Sequence, residues 1–482
     1  MYDVIIIGAG IIGSFLAHDL SKLNCKVAVI DKNADIADGA SMANSAIVHA
    51  GHDPEDGTLK ALLNVEGNRM YRNVCKELNV TFKEISAFVV STCEEENDIL
   101  SKLYKRATSR KIPCMVISGE EARKKEKNLS KSVVRALELP TTGIIYPWEV
   151  AIALMEEAVL NGTDLYLNEE VIGIEKNDNF IVHTANATYE SVYVINAAGI
   201  YADQVYQMVL GKKEHADFHI TPKRGEYFVL DQLKEPLVNR VIYPVPGPSG
   251  KGVLVIPTTY GNTLLGPNSE IIADKEGINN TFSALEYVKQ NVKKTVENIP
   301  FDKVIRTFAG LRPSTDSHDF IIEESKLISG FVNVACIESP GLASAPAISR
   351  YVLNQVMNDK FVWDRKESYV HRKKSICMAD LNEKEKNDLI RVHPEYGEIV
   401  CRCEQISKGE IIDCIRRTVG ATTVKGVKKR VRPGMGRCQG GFCEPRVVEI
   451  LVEELGISPL DVRLDSKGSV LFTGKTKGES NP

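Results

Sequence analysis

The stretch that decides the fold is YDVIIIGAGIIGSFLAHDLSKLNCKVAVID, residues 2–31. It predicts a strand over 2–7, a glycine turn, a helix running through residue 23, a second strand over 26–30 and a closing acid at Asp31. Gly8, Gly10 and Gly13 carry the G-x-G-x-x-G spacing. The first glycine allows a tight turn, the second lets backbone N–H groups approach a pyrophosphate, and the third lets helix and strand pack closely. The helix N-terminus, with its unpaired N–H groups, faces the phosphates. Asp31 stands where a carboxylate accepts hydrogen bonds from a ribose diol. Glycine turns are common in isolation. Set between two apolar strands, with an acid about twenty residues on, this one specifies a dinucleotide site and leaves FAD or NAD open.

The chain has 482 residues, long enough for roughly two to four domains. With 43% apolar and 26% charged residues it has the composition of a soluble globular protein whose core needs no staples. The net charge of −4 says little about partners. The apolar run over 4–17 has the length of a signal-peptide core, but no basic segment precedes it and its glycines already have a task. No run reaches the ~20 apolar residues of a membrane span. The expectation is a cytoplasmic chain with no integral membrane segment. Eleven cysteines in that compartment argue for thiols, metal or redox chemistry rather than disulfides. Cys25, Cys75, Cys93, Cys114 and Cys336 are scattered and read as small apolar core residues, whereas the other six fall between Cys377 and Cys443.

After Asp31 comes DGASMANSAIVHAG, residues 38–51, a small-residue loop containing Ser41, Asn44, Ser45 and His49 that lets backbone pass close to a ligand. Helices are predicted over 59–78 and 148–160, charged helical faces over 102–110 and 119–126, and a strand over 164–174 that includes Val171. A further apolar strand, 191–195, runs into NAAGIYADQV, where Ala198 and Gly199 form a second glycine turn. That turn lies far from the first in sequence, which predicts one nucleotide domain interrupted by insertions. Residues from about 222 to 325 are strand-rich, with turn residues between the runs, as in an antiparallel sheet. The strand 331–336 leads into a small-residue turn and a helix opening at Gly341 and Leu342, whose N-terminus is a partial positive charge. Residues 364–395 are polar and read as a linker with one short helix, and the tail after Asp465 is expected to fray.

The cysteine cluster has its own logic. Cys401-Arg-Cys403 and Cys438-Gln-Gly-Gly-Phe-Cys443 give four thiols in two close pairs, a ligand-like set for zinc or an iron–sulfur cluster. Zinc ribbons favour C-x₂-C pairs, and the spacings here are C-x-C and C-x₄-C, which favours 2Fe-2S over zinc. Ser407 and Glu410 make a capping-box pattern after the first pair, and Pro445 follows the second, so both pairs are expected at helix N-termini that favour thiolate. Between them, residues 415–437 carry eight Lys or Arg and no Asp or Glu. That run reads as a solvated loop, as charge compensation for the cluster, or as a docking face for an acidic partner. Nothing beside it reads a nucleic-acid groove. Cys414 falls inside a helix and Cys377 in the linker, neither at ligand spacing.

These motifs carry a resemblance. GAGIIG, Asp31, ANSAIVHAG, INAAGIYAD (195–203) and SPGLASAPA (339–347) resemble the FAD-dependent D-amino-acid-oxidase superfamily, with its glutathione-reductase-type FAD binding. HAG (49–51), YPVP (243–246), LLGPN (264–268) and AGLRPS (309–314) resemble two of its branches, the anaerobic glycerol-3-phosphate dehydrogenase large subunit and the L-2-hydroxyglutarate oxidase group. The CRCE…GMGRCQGGFC module is similar to the bacterioferritin-associated-ferredoxin-like 2Fe-2S domain. The hydroxyglutarate group is expected to carry a histidine in the strand after YPVP, and residues 252–257 have none. The combined architecture favours the glycerol-3-phosphate branch.

The resemblance implies an α/β chain with a Rossmann FAD-binding domain, an interleaved antiparallel-sheet substrate domain and a small helical iron–sulfur module. The expected boundaries are 1–370 for the FAD-dependent region, 371–396 for the linker, 397–456 for the 2Fe-2S module and 457–482 for the tail. Within the first, FAD binding takes about 1–85, 145–222 and 326–370, and the substrate domain about 86–144 and 223–325. FAD is expected against Gly8, Gly10, Gly13, Asp31, Ser41, Asn44, Ser45, Val171, Ala198, Gly199, Gly341 and Leu342, and the cluster on Cys401, Cys403, Cys438 and Cys443. His49 is the candidate proton acceptor, since imidazole titrates in the right range. Arg312 is the candidate anion clamp, because a guanidinium offers an always-charged fork. Arg224 is a second anion contact or faces solvent, Tyr243 is a substrate hydrogen-bonder or core, and His318 is a weaker base.

The implied reaction is oxidation of a small anionic alcohol, most like sn-glycerol 3-phosphate, by hydride transfer to flavin. A cluster on the same chain implies that electrons leave singly, to a flavoprotein or iron–sulfur subunit rather than to oxygen. The alternatives are an L-2-hydroxy acid or amino acid as substrate, and, in another class, a non-catalytic electron-transfer subunit.

Overall fold

The computed structural model describes residues 1–212, 214–247, 252–357 and 363–475. Expectations for the 457–482 tail therefore fall partly outside the described residues. The first strand, Tyr2–Ile7, lies in the middle of a parallel layer, between Val27–Ile30 and Thr188–Asn196. Asp164–Tyr166 extends the layer on one side and Phe331–Ala335 on the other. Strands covered on both faces need apolar side chains throughout, and Val4, Ile5, Ile6 and Ile7 are all buried. One face packs on the helices Ile11–Leu20, Pro147–Leu160 and Gly341–Tyr351, the other on Ala202–Leu210. The first helix ends at Leu20, earlier than the pattern predicts, where the Ser21 hydroxyl donates to the His18 carbonyl at 2.8 Å.

The second layer is a nine-stranded sheet. Its longest pairing sets Thr221–Leu230 against Val304–Ser314, with Lys223 opposite Arg312, Gly225 opposite Gly310 and Tyr227 opposite Phe308. Three local expectations differ from the structure. The sheet is not wholly antiparallel, because Val241–Pro244 runs parallel to Ala87–Ser91. Ile321–Glu324 pairs with Phe331–Ala335 and so joins the nucleotide layer, not the nine-stranded sheet. The strand predicted over 164–174 is two strands, Asp164–Tyr166 and Val171–Lys176, interrupted where Asn168 takes a left-handed backbone conformation with φ of 57°.

The polar segment after residue 363 is held against the body. Arg372 bonds Glu156 at 2.5 Å and the Leu78 carbonyl at 2.8 Å, while Tyr369 and His371 reach Glu157. It contains the helix Glu383–Val392. Beyond it, a two-stranded hairpin (Ile399–Cys401, Ile406–Ser407) and the helices Lys408–Arg416, Val424–Val431 and Glu444–Leu455 close around Ile411, Val427, Ile450 and Leu451. The Ser407–Glu410 capping box forms as the pattern predicts. Among the described residues no helix is long and apolar enough to cross a membrane.

Candidate functional site

The glycine turn forms a cradle that side chains would fill. A Cβ at Gly8 would sit 2.4 Å from the Ala197 carbonyl oxygen, and one at Gly13 only 1.9 Å from that of Gly8. The loop carrying Ala198 and Gly199 thus presses on the first turn. Asp31 secures it from the other side: its carboxylate accepts from the Ala9 N–H at 2.7 Å and from the Asn33 N–H at 2.8 Å. Burial pushes the Asp31 carboxyl up, against those two donors. Its expected role as a ribose contact is therefore joined by a structural one. Ser41 accepts from the Ile11 N–H at 2.8 Å, so the 38–51 loop crosses the start of the first helix. Asn44 folds that loop by bonding the carbonyls of Ala40 and Ser41 and the Ala46 N–H. Val171 is buried at a strand end in the core that holds Ala202 and Val205. Gly341 opens a helix with no side-chain cap, and the Leu342 carbonyl accepts from Tyr71. The first helix, whose N-cap Gly10 brings no side chain, opens from a turn that excludes Cβ atoms and suits a dinucleotide pyrophosphate.

The nine-stranded sheet presents one face to this cradle. A Cβ at Gly310 would lie 1.9 Å from the Ala43 carbonyl oxygen, so the strand runs directly against the 38–51 loop. Side chains alternate along a strand, which places Phe308, Gly310 and Arg312 on that face together with their partners Tyr227, Gly225 and Lys223. Tyr227 stacks on Phe308 at 4.6 Å and bonds Ser45 at 2.9 Å. The Arg312 guanidinium lies across Gly225, where a Cβ would be 2.2 Å from Nη2, and donates to the Asn268 carbonyl at 3.1 Å and the Ser269 hydroxyl at 3.4 Å. Among the described residues no carboxylate is within ion-pair distance of it.

Arg224 points the other way, by the same alternation. It is buried, bonded to Glu270 at 2.8 Å and Asn279 at 2.9 Å and 3.4 Å from Glu226, so it is neither solvent-facing nor on the face with Arg312. Lys223, noted in sequence only as its neighbour, is the cation on the shared face. It also helps to pull down the Glu338 carboxyl: burial raises that group, and Lys60, 2.8 Å away, with Lys223 more than offsets it. His49 Nδ1 is 3.0 Å from the Tyr243 hydroxyl. Tyr243 is fully buried, and burial holds its hydroxyl protonated far above the ordinary tyrosine range. His318 sits in a turn with φ of 56°.

In the C-terminal module the sequence pairs are exchanged in space. Cys403 Sγ lies 3.8 Å from Cys438 Sγ, and Cys401 hydrogen-bonds Cys443, so each pair takes one thiol from each segment. The Cys443 contact and the backbone N–H groups of Glu404, Gly434 and Cys403 bring the Cys401 thiol down to about 6. Only Cys443 caps a helix; Cys401 ends a strand and Cys403 lies in the turn after it, correcting the expectation for the first pair. Gly436 is required there, since a Cβ would meet that of Cys403 at 2.3 Å. Each close pair offers two thiols, as many protein sulfurs as each iron of a two-iron cluster takes, although among the described residues no three ligand groups are gathered on a single ion site.

The basic run is not a solvated loop. Lys429 is fully buried, 2.9 Å from both Asp35 and Asp38, and Arg430 grips Asp35 with a bidentate fork at 2.7 and 2.9 Å. Arg432 bonds Glu404 at 2.8 Å and lies 3.9 Å over the Tyr260 ring. The acidic partner of the run is thus the nucleotide domain of the same chain, beside the glycine turn.

A nucleotide cradle, a cationic face and a docked four-thiol module define a redox flavoprotein. Comparison with known proteins agrees. Residues 3–355 match the DAO model, FAD dependent oxidoreductase, and residues 399–453 match the BFD-like 2Fe-2S binding domain. A glycerol 3-phosphate dehydrogenase of Caloramator mitchellensis is 45% identical over 99% of this chain and 100% of its own length. An L-2-hydroxyglutarate dehydrogenase of Indibacter alkaliphilus is 31% identical over 71% of this chain and 89% of its own. The structure of dithionite-reduced L-alpha-glycerophosphate oxidase from Mycoplasma pneumoniae with FAD bound aligns with a TM-score of 0.72 at 30% identity, over 76% of this chain and 97% of that one. The chain belongs to the DAO family of FAD-dependent oxidoreductases and carries a BFD-like 2Fe-2S domain at its C-terminal end. It is an enzyme whose cofactors are FAD and a 2Fe-2S cluster.

Proposed function

We propose that this enzyme is a dehydrogenase that oxidises the secondary alcohol of sn-glycerol 3-phosphate to the ketone and passes the electrons, one at a time, to a protein acceptor. The carrying observation is Arg312, whose guanidinium lies on the cradle-facing side of the sheet, bonded among the described residues only to neutral acceptors, with Lys223 opposite it in register. Two cations with that geometry suit a phosphate monoester, which bears about −1.5 to −2 charges near neutral pH. The full-length likeness to the Caloramator enzyme supports the same substrate.

The remaining roles follow from position. His49, steadied by Tyr243, receives the hydroxyl proton. The Nδ1 contact at 3.0 Å directs the other ring nitrogen to that task when Nδ1 carries the hydrogen and the Tyr243 oxygen accepts it. The stacked Tyr227 and Phe308 rings line the same face and exclude water. When bound, FAD supplies a two-electron hydride acceptor and the cluster a one-electron carrier. The residues that would hold them are Gly8, Gly10, Gly13, Asp31, Ser41, Asn44, Ser45, Val171, Ala198, Gly199, Gly341 and Leu342 for FAD, and Cys401, Cys403, Cys438 and Cys443 for the cluster.

Anaerobic flavin bleaching tests the substrate. Glycerol 3-phosphate is expected to bleach the flavin, and L-2-hydroxyglutarate and amino acids to leave it yellow. Bleaching by an amine or a hydroxy acid alone would refute the reading, and bleaching by none of them while a partner reductase succeeds would make the chain an electron-transfer subunit.

A further inference from the structure

The four sulfurs are unequally covered. Cys401 and Cys443 are buried, whereas Cys403 is exposed and Cys438 partly so. Cys403 of this outer pair lines a cleft of about 340 Å³ between the module and the sheet, together with Arg402, Glu404, Arg437, Asp231 and Gln232. Arg402 and Arg437 are exposed at its rim, and the exposed Arg306 reaches in from the sheet to Gln439, beside Cys438, at 3.3 Å. The two carboxylates of the cleft are already engaged, Glu404 by Arg432 at 2.8 Å and Asp231 by Arg437 at 3.2 Å. With those carboxylates paired, Arg402 and Arg306 remain as exposed cations with no ion-pair partner among the described residues. Phe442, whose backbone N–H donates to Cys438, is 87% exposed.

An exposed aromatic side chain tied through its backbone to Cys438, the residue after Arg437, has with these arginines the composition of an interface centre, where aromatic residues and arginine supply most of the binding energy. It also adjoins Cys438, one of the two less covered sulfurs. We infer that Phe442, Arg306, Arg402 and Arg437 form the docking surface for a small one-electron carrier protein with an acidic face. The inference rests on the reading that electrons leave this enzyme singly. Each alcohol oxidised to a ketone releases two electrons and two protons, so two oxidised carriers each leave with one electron and the protons pass to solvent. Opposite charge accelerates such encounters and orients them, and the effect weakens as salt screens it.

The test uses oxidised holoenzyme and an acidic flavodoxin as probe, with basic cytochrome c as control. Binding is measured by interferometry at about 20 and about 300 mM NaCl, a range that shortens the screening length several-fold. Flavodoxin is expected to bind, with Kd weakened about tenfold or more by the higher salt and by the double variant Arg402→Glu with Arg437→Glu. Phe442→Ala is expected to weaken Kd about tenfold. All variants keep the parent iron content and the parent rate of flavin bleaching by glycerol 3-phosphate. If Arg402→Glu loses iron, Arg306→Glu with Arg437→Glu carries the same test. No binding of flavodoxin, equal binding by the variants, or tighter binding of cytochrome c overturns the inference. Because the binding arm needs no turnover, a flavin that glycerol 3-phosphate fails to bleach removes the substrate reading and leaves the surface to be judged separately.

Discussion

Asp35→Ala separates docking of the cysteine module from its folding. In the parent, Asp35 accepts from Arg430 at 2.7 and 2.9 Å and faces Lys429 at 2.9 Å, all three side chains being almost fully buried. Removing the carboxylate leaves two cations in a nearly dry interface. Breaking a buried ion pair by deleting one partner costs about 3–5 kcal/mol. Asp38 still meets Lys429 at 2.9 Å, and the carbonyls of Val419 and Gly426 still accept from Arg430, so the low end applies. About 3 kcal/mol corresponds to a shift of about 150-fold toward the undocked form. Lys429 itself reports that form, since its side chain has no exposure while docked. Pulse acylation of amines, read by mass spectrometry, is expected to label Lys429 about a hundredfold faster in the variant. Lys60, buried against Glu338 and making no contact with the module's ion pairs, should label at the parent rate. Unchanged labelling of Lys429, or a parallel rise at Lys60, would refute the interface energetics, the second because it signals global loosening.

The same carboxylate predicts an acid response. Burial pushes the Asp35 carboxyl up, and Arg430 and Lys429 together pull it below its ordinary value. A folded value below the unfolded one means that this stabilisation is complete above about pH 4 and is lost as pH falls through the folded value; small-angle scattering should show the molecule expanding only in that acid range. Arg312→Met is expected to lower kcat/KM for glycerol 3-phosphate by about 100- to 1,000-fold through loss of charge-assisted hydrogen bonds, with FAD content unchanged and partial recovery in Arg312→Lys. Gly225→Ala places a Cβ 2.2 Å from Arg312 Nη2 and should displace the guanidinium, lowering kcat/KM about tenfold at near-parent thermal stability. Gly13→Ala, whose Cβ would meet a backbone carbonyl at 1.9 Å, should yield protein without flavin absorbance.

The strand-glycine-helix-strand beginning, the capping box at Ser407 and the four cysteines were legible because each is a local pattern with a local cause. Period-two and period-3.6 hydrophobicity, a Cβ that does not fit, and a thiol at ligand spacing act within a few residues of themselves. The capping box shows the limit of such reading, since it marked a helix start but not the distance from that start to Cys401 and Cys403. The Arg224 reading failed for a related reason: a strand was recognised, but its register, which decides the face each residue serves, is fixed by the partner strand. Lys223 was legible from alternation once Arg312 was placed opposite it, and from nothing earlier.

By itself the sequence determined a Rossmann-type beginning, an alternation of strands and helices that resembles one flavoenzyme superfamily, and a four-thiol module, because these depend on side-chain size and spacing along the chain. Only the tertiary structure decided that Cys401 joins Cys443 and Cys403 joins Cys438, that Arg312 faces the cradle while Arg224 is neutralised behind the sheet, and that Lys429 and Arg430 bind the module to Asp35 and Asp38. Those choices join residues far apart in sequence. Charge and thiol chemistry name the possible partners, but burial and strand register select among them, and both are properties of the packed chain.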